Sequence, residues 1–251
     1  MSNPSSRERA YQYIRQKIAS GEITAGSSIS ELSLAKELGT SRTPVREAIG
    51  QMAAEGLLEQ SLNRKPTVVS LTRRDIVELY EFREALEVYA VGKAARTAAS
   101  RMDLEKLQRL AEVAQALKVE LEQSGKPELN NEQMQRFLAS DFGFHTLLMH
   151  IAANSRILKV VNEMRLLIRI FAMRRHGHSM LQLEQIYHQH CEIARAVVDQ
   201  DAERAARIIS EHIQISLRVI LEDYDHQEIA NSLLVTHPFF PAIHPSEESP
   251  K

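Results

Sequence analysis

The chain has 251 residues, of which 43% are hydrophobic and 25% charged, with no tryptophan, nine glycines and eight prolines. That length suits one large or two modest domains, and the apolar runs fall well short of the roughly 20 residues a membrane span needs. The N-terminal segment lacks the basic start, apolar middle and small-residue cleavage site of a signal peptide, and the single Cys191 excludes an internal disulfide, so a reducing cytoplasm is the expected compartment.

The net charge of −2 is unevenly spread. Up to Thr72 there are 9 Lys+Arg against 7 Asp+Glu, and beyond it 22 against 26. This mild polarity permits a nucleic-acid-binding head without establishing one.

Residues 5–20 read as a helix, with Ala10, Tyr13, Ile14 and Ile18 at helical spacing. The link "GEITAGSSI" follows, then two helical segments, "ELSLAKEL" and "RTPVREAIGQMAAEG", separated only by "GTS". Two short helices about a three-residue turn are the geometry that lets a second helix enter a DNA major groove. Gly39 suits the turn, Ser41 the N-cap, and Pro44 the first helical turn, where its missing N–H is harmless. If Val45, Ile49, Met52 and Ala53 face inward, then Arg42, Thr43, Arg46 and Gly50 face out. Arginine suits bidentate contacts to guanine or phosphate. Two β-prone pieces, 57–61 and 67–71, flank the polar turn "LNRKP" and read as a hairpin whose tip residues, Arg64 and Lys65, could reach phosphates. On spacing alone, a helical hairpin carrying solvated arginines stays open.

From Thr72 onward there is no strand signal. Helical segments are expected near 73–98, 103–123, 130–152, 154–175, 180–199 and 202–224. The predicted fold is mainly α: a winged helix-turn-helix over residues 1–72, an all-helical bundle of six to seven helices over 73–227, and a proline-rich disordered tail over 228–251.

The bundle stripes carry chemistry. The segment "SDFGFHTLLMH" sets Asp141 and His145 four apart on the line of Met134, Phe137, Phe144 and Leu148. His190 interrupts the stripe of Leu183, Ile186, Ile193 and Val197, and His212 that of Ala205, Ile208, Ile215 and Val219. A buried imidazole or carboxylate without a partner costs several kcal/mol. Four such groups on three helices suit either a divalent transition metal or a polar core network. Arg83 lies in the stripe of the first bundle helix, where it could clamp a carboxylate or pair internally with Glu84 or Glu87. Arg165 and Arg169, also four apart, lie beside the stripe of their helix and read as surface charge or pocket lining. No H-E-x-x-H and no paired Glu-x-x-His occurs, and no carboxylate stands by as a general base, so a metalloenzyme is not expected.

"SISELSLAKELGTSRTPVREAIGQMAAEGLLEQ" closely resembles the GntR family of bacterial transcription regulators, and the helical remainder resembles the FCD ligand-binding domain of its FadR-type branch. The resemblance implies DNA contacts by Ser41, Arg42, Thr43 and Arg46. It further implies a metal such as Zn, Ni or Mn held by Asp141, His145, His190 and His212. A small organic-acid effector, with Arg83 as its clamp, and a homodimer reading a palindromic operator, most commonly as a repressor, complete what it implies. Two positions depart from the family pattern. Arg64–Lys65 stands where many members have Arg-Gly at the wing tip, and Leu32 where some have an arginine. A DNA-binding dimer with a structural metal and no effector stays open.

Overall fold

Eight helices begin in the same way: Ser5, Ser30, Thr72, Ser100, Asn130, Asn154, Ser179 and Asp201 each accept a hydrogen bond from the backbone amide three residues on. A side-chain oxygen at that position satisfies an amide that the helix itself leaves unpaired. The computed structural model describes residues 4–60, 64–97, 99–172 and 177–236.

The head contains α1 (Ser6–Ala19), α2 (Glu31–Glu37), α3 (Arg42–Ala54), β1 (Leu58–Glu59) and β2 (Thr67–Val68). Gly39, with φ 61°, turns the chain between α2 and α3. The strands pair antiparallel, Leu58 opposite Val68 and Glu59 opposite Thr67, and Ser28 adds a bridge to Thr67. Both strands are shorter than the hairpin expected over 57–61 and 67–71, of which residues 61–63 lie outside the described residues. Ile14, Ile18, Val45, Ala48, Ile49 and Met52 form the head's core. Two assignments shift by a fraction of a helical turn. Tyr11 rather than Tyr13 is buried, the Tyr13 hydroxyl instead donating to Glu37, and Ala48 goes deeper than Ala53.

The body contains α4 (Arg73–Arg96), α5 (Arg101–Ser124), α6 (Asn131–Ile151), α7 (Ser155–Ala172), α8 (Met180–Val198) and α9 (Ala202–Thr236). α4 and α9 run antiparallel, pairing Arg73 with Asp225, Tyr80 with Ser216 and Glu84 with Ser210. α5 packs on α6 and α8. No described helix is long and apolar enough to cross a membrane. The fold is mainly α, a helix-turn-helix head with a two-stranded wing followed by a helical bundle.

α9 corrects the tail expected from residue 228. It runs on to Thr236 because neither glycine nor proline stands between Gly177 and Pro238 to end it. Residues 237–251, the rest of that tail, lie outside the described residues. The deepest line on α9 is Ala205, Ile209, Ile213 and Ile220, which leaves Ile215 and Val219 half-buried beside a cavity.

Candidate metal centre and nucleic-acid interface

Asp141 and His145 leave α6 one turn apart, and His190 on α8 and His212 on α9 come in to meet them. One donor atom from each of the four lies within 4.8 Å of all the others. His145 Nε2 and His190 Nε2 each stand 3.6 Å from Asp141 Oδ1. Donors sharing an ion at about 2.1 Å lie between roughly 3 and 4.2 Å apart. The cluster therefore needs to close by only about half an ångström, and the donor set of one carboxylate and three imidazoles fits a divalent transition metal.

The surroundings fix the rings. Glu87 of α4 accepts from His145 Nδ1 at 2.6 Å; in a neutral ring that tautomer presents the Nε2 lone pair toward Asp141. Gln189 Oε1 stands 2.9 Å from His212 Nδ1 and can do the same for that ring. Phe144 stacks on His190 with centroids 4.1 Å apart and planes within 8°. Burial, together with the neighbouring His190 and His145, holds the His212 pKa well below the ordinary histidine value. Its imidazole is therefore neutral, the form that binds metal.

Arg83 is buried in the same cluster. It donates from Nε to Glu87 at 2.9 Å, so the internal pair forms with Glu87, while Glu84 turns to Ser210 and Gln214. Its Nη2 lies 3.3 Å from His145 Nε2. Burial opposes its charge, but Glu87, Tyr80 and Asp141 outweigh that and hold its pKa above the ordinary arginine value. The pairing does not remove Arg83 from ligand reach. Arg83, Asp141 and His212 all line a cavity of about 80 Å³ between α4, α6, α7, α8 and α9. On that scale one water needs about 10–15 Å³, so a small organic acid fits. The side chains of Arg165 and Arg169 lie outside the described residues.

On the head, Ser41 stands at the N-cap of α3 but makes no capping hydrogen bond. Arg42, Thr43, Arg46 and Gly50 are all exposed along the outer face. Glu31, the first residue of α2, holds both arginines: Arg42 Nη2 at 3.2 Å and Arg46 Nη2 at 3.0 Å. The hydrogen bond from Arg46 is the larger cause of a Glu31 pKa below the ordinary carboxylate value. Arg64 and Lys65 are exposed at the wing.

Three residues escaped the sequence reading in these roles: Glu87, Gln189 and Glu31. Glu87 did carry a signal, being a second charge on α4's buried line four residues after Arg83. Gln189 looked like an ordinary polar neighbour of His190, and Glu31 lies 11 and 15 residues from its partners.

The family model for bacterial regulatory proteins of the gntR family matches residues 6–69, and the FCD domain model matches 78–215. The chain belongs to the GntR family and carries an FCD domain. It is a DNA-binding transcriptional regulator and not an enzyme. It is 30% identical over 202 residues to a probable D-xylose utilization operon transcriptional repressor of Paenarthrobacter nicotinovorans, covering 80% of this chain and 82% of that one. It is also 30% identical over 202 residues to the Nta operon transcriptional regulator of Aminobacter aminovorans, covering 78% and 86%. The solved structure of E. coli McbR/YncC superposes with a TM-score of 0.74 at 19% identity, over 88% of this chain and 100% of that chain, a likeness of fold.

Proposed function

We propose that this GntR regulator is an effector-responsive repressor that works in the cytoplasm and binds a palindromic operator as a homodimer. Residues 1–72 form the reading head, with Ser41, Arg42, Thr43 and Arg46 at the DNA and Arg64 and Lys65 on flanking phosphates. Residues 73–227 form the effector-binding and dimerisation domain. Asp141, His145, His190 and His212 would hold a divalent ion, and Zn, Ni and Mn all accept this set. A bound ion would supply a Lewis-acidic site for an effector carboxylate, and Arg83 would supply its hydrogen-bonding partner. The repressor name of the Paenarthrobacter relative supports repression.

The observation that carries this reading is the convergence of four donors, two of which, Asp141 and His212, line a cavity together with Arg83. Two body helices also touch the head. Gln135 of α6 donates to the Ser20 carbonyl at 3.1 Å, and Leu167 of α7 packs on the head's core while its neighbour Ile168 lines the cavity. A bound acid that shifts α6 or α7 by a fraction of an ångström would reach the head. A coupling of about 1–3 kcal/mol changes operator affinity some 5- to 150-fold.

The test is the metal content of untagged protein purified without chelator, beside a His145→Ala/His212→Ala double variant, with operator binding measured for both. About one equivalent per chain, lost in the variant while operator binding persists, is the expected result. No metal in either protein would reduce the cluster to a polar core network.

A further inference from the structure

We propose that two copies of this chain dimerise through the outer face of α4, which packs antiparallel on itself about a two-fold axis between Ala85 and Leu86. This rests on the homodimer reading above. The new content is the surface that makes the dimer and its register.

The first argument is from the side of α4 that the bundle leaves open. α4 turns Ile76, Tyr80, Arg83, Glu87 and Ala94 inward, and α9 runs along that side, meeting it at Tyr80 and Glu84. The opposite side carries Phe82, 49% exposed, and Tyr89, 56% exposed, seven residues and so two turns apart. Ala85 is exposed between them, and Leu79 and Leu86 are half-buried along the same line. Two large aromatic side chains held in water on one stripe, with charged residues at both its ends, mark a contact surface rather than scattered exposure.

The second argument is from charge, which selects the occupant. On the N-terminal side of Phe82 the stripe carries Asp75 and Glu78, and on the C-terminal side of Tyr89 it carries Lys93 and Arg96. About the point between Ala85 and Leu86 this order is symmetric in position and opposite in sign. Glu78 and Lys93 are equally far from that point, as are Asp75 and Arg96, and Phe82 and Tyr89. An antiparallel second α4 therefore sets Glu78 level with the second copy's Lys93, Asp75 with its Arg96, and Phe82 with its Tyr89. Each pairing occurs twice, as an isologous interface requires. A parallel arrangement would put like charges together at both ends, which costs rather than gains. An unrelated partner has no need of a stripe that complements itself.

The third argument is from the groove where the acidic end of the stripe meets the wing. Among the described residues its charged lining is Glu59, Asp75 and Glu78, all acidic. This is where the second copy's Lys93 and Arg96 arrive. Glu78 holds Arg74 one turn back, but both side chains are more than half exposed, and such a pair contributes little that an intersubunit one does not replace.

The experiment is sedimentation of the full-length protein over a range of concentrations, with Glu78→Lys, Lys93→Glu, the double variant carrying both, and Phe82→Ala. Each single charge reversal sets like charges opposite one another at two symmetric places and is expected to weaken the dimer by about tenfold or more. The double variant restores both pairs and is expected to return to within about threefold of the wild type. Phe82→Ala is expected to weaken the dimer by about tenfold or more, with metal content unchanged. Dimers of wild-type strength in every variant overturn the α4 face and leave the homodimer standing. Weakening by both single reversals without recovery in the double variant overturns the antiparallel register. If the wild type is monomeric at micromolar concentrations, the homodimer reading fails, and this proposal goes with it.

Discussion

Glu87 and His145 share a 2.6 Å hydrogen bond in a site where both side chains are fully buried. The carboxylate sets the ring's tautomer and binds Arg83 at 2.9 Å through its other oxygen. It therefore serves both the proposed metal ligand and the proposed effector clamp. Outer partners of this kind tune metal affinity about 10- to 100-fold. Glu87→Gln should lose affinity by that factor in a chelator competition while the fold persists. Glu87→Ala should go further and destabilise the protein by about 3–5 kcal/mol, because it leaves the Arg83 charge buried and unpaired. Unchanged zinc affinity in Glu87→Gln would show that the hydrogen bond does not orient His145.

Glu31 plays the matching part on the head. Its carboxylate lies between Arg42 and Arg46 and holds both side chains at the exposed start of α3. Glu31→Gln removes the negative charge that pairs with the two proposed DNA-contacting arginines and loosens both. Non-specific DNA binding should strengthen by a few-fold, while the ratio of specific to non-specific affinity falls by about tenfold or less. Competition against random-sequence DNA at fixed salt measures both. A ratio that does not move would mean the arginines find the bases without Glu31.

Much of this was legible in the chain because each feature was local. The caps at Thr72, Asn130 and Ser179 are followed three residues on by Asp75, Gln133 and Gln182, which close capping boxes. The metal-type donors stood out because each broke an apolar line on its own helix. What did not show depends on contacts between helices. Glu87 offered a local explanation as an i+4 partner of Arg83, which hid its bond to His145, 58 residues away. Tyr11 and Tyr13 differ by two positions on α1, and only the packing of α3 decides which one is covered. The extension of α9 was masked by the proline-rich segment after it, although the first proline there is Pro238.

Gly177 marks where the chain between α7 and α8 crosses the entry to α6. A Cβ at this position would stand 1.9 Å from the Leu129 carbonyl oxygen. The crossing has little freedom to move away, since the Leu129 amide donates to the His178 carbonyl at 3.1 Å and Glu128 bridges Ser179. Gly177→Ala should therefore cost about 1–3 kcal/mol, read from a urea midpoint. Wild-type stability in this variant would place the crossing elsewhere.

Substitutions at Arg46 and Lys65 should separate base reading from phosphate attraction. The Arg46 side chain is 60% exposed and projects from the α3 face that carries Arg42 and Thr43, so its loss leaves the head's core untouched. Arg46→Ala should cost about 1–3 kcal/mol at the operator and relax discrimination at one base position, with melting temperature and metal content unchanged. Lys65, exposed on the wing, should behave differently. Lys65→Ala should weaken operator and random DNA alike and reduce the salt dependence of binding by about one counterion. Titrations at several salt concentrations with operator and scrambled duplexes distinguish the two patterns. If Arg46→Ala lowers both affinities equally, α3 contacts only the backbone, and base reading must be sought on another element of the head.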